Sequence, residues 1–212
     1  MNQIIRQISI LLVPVLLAVT FHELAHGWVA YKLGDPTAKD AGRLTLNPIK
    51  HLDLLGTIVF FVTRMIGWAK PVPVNPYNFK NPRTDMAWVA VAGPAMNILL
   101  AIGFTILLKL LLSIPLPRSS SLVSVLMPLA LMFKVGIIIN VGLAIFNIIP
   151  IPPLDGSKIL EGLLPMEAAI KYARLERYGV ILLVILIFTH VVDYVVFPVI
   201  NAVSSLLLSF LM

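Results

Sequence analysis

Two histidines, His22 and His26, stand four residues apart with Glu23 directly after the first, in the run Phe21-His22-Glu23-Leu24-Ala25-His26-Gly27-Trp28. Four residues is about one turn of α-helix, so on a helix both imidazoles leave the same face and can share one cation. Glu23 then lies beside any water held by that cation, the arrangement of a metal hydrolase with a glutamate base. The alternative is a pair of neutral, hydrogen-bonded imidazoles at an interfacial helix end, with Glu23 facing lipid headgroups. A catalytic zinc ordinarily takes three protein ligands and leaves a position open for water. The chain has no cysteine, so the third ligand must be another His, Asp or Glu.

The candidate is Asp155, in Asn147-Ile148-Ile149-Pro150-Ile151-Pro152-Pro153-Leu154-Asp155-Gly156. Three prolines break a helix there and impose an extended turn, which can hold the carboxylate stiffly in one direction. The competing role for Asp155 is N-cap of the polar segment that follows.

The elements that must position these residues are membrane helices. Of 212 residues, 59% are hydrophobic and 12% charged, against soluble averages of roughly 45–50% and about 25%. Stretches almost free of charge run from Ile8 to Phe21, Met86 to Leu108, Leu122 to Pro150 and Gly179 to Met212, and about 20 apolar residues suffice to cross hydrocarbon. The first has no small-residue cleavage site and runs into the His/Glu cluster, so it reads as a retained span rather than a signal peptide. Spans are predicted at about residues 5–32, 86–113 and 125–149, with a tail over 179–212 that Pro198 interrupts. The fold class is an all-α polytopic membrane protein of about four transmembrane helices, with five as the alternative. It forms a single membrane-embedded domain over residues 1–212, with a core at about 5–160 and a C-terminal membrane segment at about 179–212.

Two connecting regions have their own character. Residues 157–178 carry charges at helical spacing and predict a polar, interfacial helix. Residues 44–83 alternate short apolar runs, Leu54 to Val62 and Met65 to Ala69, with Lys70-Pro71-Val72-Pro73-Val74-Asn75-Pro76. Prolines forbid a continuous helix there, so this reads as a small re-entrant β/loop element packed against the helices.

The net charge of +6 comes from 16 Lys and Arg interspersed among apolar segments rather than gathered with stacking aromatics, which argues against nucleic acid as a partner. Basic residues concentrate between the first and second spans and after the third, while the second-to-third connection carries only Arg118, with Lys109 near its edge. The positive-inside rule then places the two basic loops in the cytoplasm and the N-terminus outside, in a multi-pass plasma or inner membrane. In that topology His22, His26 and Asp155 all reach the cytoplasmic side.

The chain resembles the site-2 protease family of intramembrane zinc metalloproteases through His22-Glu23-Leu24-Ala25-His26 and Asn147-x-x-Pro150-x-Pro152-Pro153-Leu154-Asp155-Gly156. The similarity extends to Gly67-Trp68-Ala69-Lys70-Pro71-Val72-Pro73-Val74-Asn75 and Gly93-Pro94-Ala95-Met96-Asn97, and it looks like a minimal core without the PDZ or CBS domains of many relatives. The resemblance implies one catalytic zinc on His22, His26 and Asp155, with Glu23 as base. It implies cleavage in or near the transmembrane segments of other membrane proteins, in regulated intramembrane proteolysis. It implies that Asn147 orients substrate or stabilises the oxyanion. It also implies that the segment Lys70, Pro71, Val72, Pro73 and Val74 pairs with substrate as an added strand, although a rigid interfacial loop is the alternative for that segment.

Asn97 is read either as a substrate contact or as a bond across helices. His51 with Asp53 reads as a solvated loop pair, and His190 with Asp193 as the end of an interfacial helix, with a metal or proton site as the alternative. The main alternative function is a metal or proton transporter using the same ligands, which the absence of acidic residues between Met86 and Pro150 disfavours. A silent scaffold with a structural zinc would have no use for Glu23.

Overall fold

The computed structural model describes residues 2–56, 58, 68–115, 122–189 and 192–211. Long helices form where the sequence is apolar for 20 residues or more: α1 over Asn2–Lys32, α3 over Pro82–Leu112 and α4 over Val123–Ile148. In hydrocarbon no water can satisfy the backbone, so a helix that bonds itself is the stable local choice. A short helix α2, Thr37–Asp40, follows α1. Beyond α4 come α5, Asp155–Leu163; α6, Met166–Ala173; a 3₁₀ turn, Arg174–Tyr178; and α7, Gly179–Phe188. A π-helical turn, Val192–Val196, leads into α8, Phe197–Ser209. Four stretches among the described residues are long and apolar enough to span a membrane: Ile8–Lys32, Pro82–Leu112, Val123–Ile148 and Val192–Ser209.

Three expectations change in detail. The polar helix foreseen over 157–178 is split into α5 and α6, because Pro165 forces Leu164 into extended backbone, with ψ 152°. Pro198 does not interrupt the tail. It sits in the first turn of α8, where a missing N–H is harmless, and α7 ends upstream, at Phe188. The re-entrant element is extended chain and 3₁₀ turns, Pro48–His51 and Pro76–Asn78, and among the described residues it holds one isolated antiparallel bridge, Leu52 with Ala69, and no strand. Much of the two apolar runs before it, residues 57 and 59–67, lies outside the described residues.

The chain forms two compact units. One comprises Met1–Ala18, Asn97–Phe146 and Leu186–Met212. Along α3 in this unit, Asn97, Ala101, Phe104, Thr105 and Leu108 are buried, while Leu99, Ile102, Ile106 and Leu110 are exposed. The polar Asn97 and Thr105 and the small Ala101 therefore face inward with Phe104 and Leu108, while the outward positions are large and apolar, as expected where lipid is the solvent. Asn97 donates to the Ala18 carbonyl at 3.2 Å and to Asn140 Oδ1 at 2.8 Å, while Asn140 donates to the Gly136 carbonyl.

The other unit comprises Val19–Met96 and Asn147–Ile185. Its apolar centre is Ala30, Phe79 and Val89, with Val29, Leu33, Val74 and Met86 packed around them. Asp35, fully buried just beyond α1, accepts from the Thr37 amide and hydroxyl, the Asn75 amide and the Asn78 side chain. That carboxylate fastens the end of α1 to the end of the extended segment.

Candidate metal centre

The helical spacing of four brings His22 and His26 together on α1, with Nε2 atoms 3.0 Å apart and both residues 9% exposed. Asp155 Oδ2 lies 3.2 Å from His22 Nε2 and 3.4 Å from His26 Nε2. An ion bound tetrahedrally at about 2.0–2.1 Å separates its ligand atoms by roughly 3.3 Å, so the triangle has the right size for zinc. Among the described residues this is the one group of three His, Cys, Asp or Glu side chains close enough to hold a metal.

The chemistry of the donors agrees with the size. His26 Nδ1 lies 2.7 Å from the Val89 carbonyl of α3, which can only accept, so Nδ1 carries the proton and Nε2 presents its lone pair to the centre. Asp155 Oδ2 is buried and accepts no well-aligned hydrogen bond, a situation that is unfavourable unless a cation completes it. Burial by itself would raise the Asp155 carboxyl, but the two imidazoles outweigh it and hold the pKa down to about 2. The ligand is therefore ionised at neutral pH. A β-carbon at Gly93 of α3 would collide with His26 Nε2 and come within 2.6 Å of Cε1 of both imidazoles.

The proline-rich turn delivers the Asp155 carboxylate to the imidazoles rather than to a cap. The N-cap of α5 is Leu154, which makes no side-chain capping bond, and Asp155 opens the helix with its carboxylate turned to the imidazoles. Gly156 permits this approach, because a β-carbon there would run into the backbone of Ile148 and Ile149. Tyr172 of α6 donates its hydroxyl to the Pro150 carbonyl at 2.7 Å, and Gly179 leaves room for Pro152.

Glu23 is half-buried on the turn between the histidines and accepts from the Val72 amide at 2.9 Å. The extended segment is thus seated on the carboxylate beside the metal ligands. Arg43, 6% exposed, reaches the carbonyls of Lys70 at 2.7 Å and Pro71 at 3.2 Å. The Lys70 amide donates to the His51 carbonyl, the Asn75 amide to Asp35, and Pro71 and Pro73 have none. Among the described residues, Val74 alone in Lys70–Asn75 keeps an amide without a bond, and the carbonyls of Val72, Pro73 and Val74 accept none.

The remaining candidates separate from this group. Asn147, half-buried, occupies the last turn of α4 within the unit that holds the metal ligands. Asn97 belongs to the other unit, fully buried and bonded across helices. The solvated His51–Asp53 pair is not found. His51 is fully buried with Nε2 2.8 Å from the Thr45 carbonyl, and Asp53 accepts from the Gly56 amide, because the turn folds back on itself. His190 lies outside the described residues, and Asp193 is in the π-helical turn. Sequence reasoning missed Gly93 as a contact of the imidazoles, and Arg43 and Asp35 as clamps on the extended segment. Only Gly93 carried a signal, a glycine beside proline in the middle of a span.

Comparison with known proteins converges on the same chemistry. The model of peptidase family M50 matches residues 113–190, a stretch that includes Asn147 and Asp155. Two relatives carry the name "Putative zinc metalloprotease". YwhC of Bacillus subtilis (strain 168) is 45% identical over 193 residues, 91% of this chain and 86% of its own length. Rip2 of Mycolicibacterium smegmatis is 28% identical over 208 residues, 92% of this chain and 74% of its own length. No solved structure matches. With a helical membrane fold, a three-donor cluster built for a cation and a relative this similar over nearly its whole length, the chain belongs to peptidase family M50, the site-2 proteases.

Proposed function

We propose that this protein is an intramembrane zinc metalloprotease that hydrolyses peptide bonds in or near the transmembrane segments of other membrane proteins. The observation that carries the reading is the closure of His22, His26 and Asp155 into a triangle of 3.0–3.4 Å with Glu23 on the same helical turn. Zinc held there supplies a Lewis acid that acidifies water and polarises the scissile carbonyl. Glu23 takes the proton of the attacking water and returns it to the leaving amine. Asn147, at the end of α4, offers an amide donor toward the carbonyl oxygen as charge develops on it.

A peptide bond within a helix hides its carbonyl in an internal hydrogen bond, so the substrate must unwind before it is cut. The open carbonyls of Val72, Pro73 and Val74, with the Val74 amide, can replace part of the lost pairing, and Lys70 and Pro71 begin the same substrate-pairing segment. Asn97 we assign to helix packing rather than to substrate. The charge distribution supports an N-terminus outside, a catalytic centre toward the cytoplasm, and regulated intramembrane proteolysis as the cellular role.

The deciding experiment compares the purified wild type with Glu23→Gln on a single-span substrate in liposomes. The variant should keep its zinc and lose cleavage by about 10²–10⁴-fold, the contribution of a general base. Equal cleavage by both proteins refutes the assignment.

A further inference from the structure

We propose that Gly27 is a positioning residue: its missing side chain lets Val72 seat against α1, and the seated Val72 amide fixes the carboxylate of Glu23. The inference rests on the protease reading above and adds a residue to it.

Glycine inside a helix is unfavourable relative to alanine, so a buried glycine within α1 calls for a reason. Gly27 follows Glu23 by four residues, which puts both on one face of the helix. A β-carbon on Gly27 would lie 2.8 Å from Leu44 Cδ2, 3.1 Å from Val72 Cγ1 and 3.2 Å from Ala38 Cβ. Leu44 is flexible at its tip and can swing aside. Ala38 has no side-chain freedom and sits in α2.

Val72 has little room to adjust in any direction but one. Arg43 holds the carbonyls of the two residues before it, Asp35 holds the amide of Asn75 after it, and prolines fix φ on both sides. Extra volume at position 27 is therefore relieved by lifting Val72 off α1. The 2.9 Å bond from the Val72 amide stretches as it lifts, and among the described residues it is the one hydrogen bond that the Glu23 carboxylate accepts. One contact thus sets both the height of the segment offered to substrate and the direction of the base.

The test uses the full chain in detergent, with and without zinc, as wild type, Gly27→Ala and Gly27→Val. Val72 lies between two prolines, so hydrogen exchange of the peptide around it reports few other amides. Its exchange should quicken by about tenfold or more in Gly27→Val, with Gly27→Ala intermediate, and equally in metal-free protein. Zinc content should stay at the wild-type level. For the same series kcat should fall by roughly 10–100-fold while KM changes less, and adding Val72→Ala to Gly27→Val should restore most of the loss. Unchanged Val72 exchange in both variants overturns the proposal. So does loss of zinc in step with activity, which would make Gly27 a support of the metal ligands, and so does failure of Val72→Ala to rescue. Gly27→Ala adds only a methyl group and keeps the comparison readable if the valine variant misfolds. If exchange follows the series while even the wild type cleaves nothing, the seat stands and the protease reading falls.

Discussion

The imidazole of His26 occupies the space that a side chain on Gly93 would need. Its other ring nitrogen rests on the carbonyl of Val89, four residues earlier on α3, so one turn of α3 both orients the ligand and makes room for it. Gly93→Ala should therefore displace an imidazole while leaving the helices formed. Zinc affinity should fall by about 10–100-fold, the usual effect of disturbing a ligand's supporting shell. Chelator competition with circular dichroism on the same samples checks this, and wild-type affinity would show that the backbone yields instead.

Acid should strip the metal. Zinc binds only unprotonated donors, and Asp155, held down to about 2, stays ionised far below neutral pH. Zinc retention followed by dialysis should decline as the pH is lowered, and Asp155→Asn should release zinc at neutral pH.

Asp35 gives a separate dependence at lower pH. Burial alone would raise its carboxyl, but hydrogen bonds from Thr37, Asn78 and Asn75 prevail and hold it below the ordinary carboxylate range. A folded pKa below the unfolded value means that its contribution is full above the unfolded pKa, about 3.9, and is lost as pH falls through the folded one. Asp35→Ala should lower stability by roughly 1.5–3 kcal/mol, since it removes the hydrogen bonds that a buried carboxylate accepts. Thermal unfolding of the variant and wild type should converge under strong acid and differ at neutral pH.

Asn97→Ala tests helix packing against substrate contact. Interhelical hydrogen bonds within membranes average about 0.6 kcal/mol, with values near 1.7 at most. A drop of a few degrees in Tm with KM unchanged fits packing, while a raised KM at unchanged Tm would return Asn97 to the substrate.

Membrane sidedness can be read without background, because the chain has no cysteine. Lys39→Cys, exposed beyond α1, should react with an impermeant maleimide only after cells are opened. Ile114→Cys, beyond α3, should react in intact cells; the reverse pattern would invert the topology.

The three candidate donors, which the structure brings together, stood out because coordination chemistry restricts such sets so tightly. Two histidines one helical turn apart, with no thiol in the chain, leave few partners, and the prolines before Asp155 announced a rigid presentation. The apolar helices were equally legible, since hydrocarbon thickness sets their length. Residues that act through close approach left weaker marks. Gly93 and Arg43 acquire their roles only when distant segments meet, and His51 is buried by a turn whose closure no periodicity encodes. The polar segment misled because charges at helical spacing outweighed Pro165, and α3 begins earlier than hydropathy suggested. There Pro82 takes the first helical position and Asp85 reaches back 3.0 Å to the Asn81 amide, a local signal independent of hydrophobicity.

The bonding of the stretch from Lys70 to Asn75 has one consequence beyond the metal centre. A naked ribbon of valines and prolines in a crowded bilayer invites a neighbouring copy to stack on it and build a growing sheet. Here the ribbon has almost nothing to donate: two of its amides do not exist, three are engaged within the molecule, and among the described residues a lone N–H is left, which cannot sustain a repeating ladder. The same anchoring that seats it on Glu23 keeps it from polymerising with its own kind.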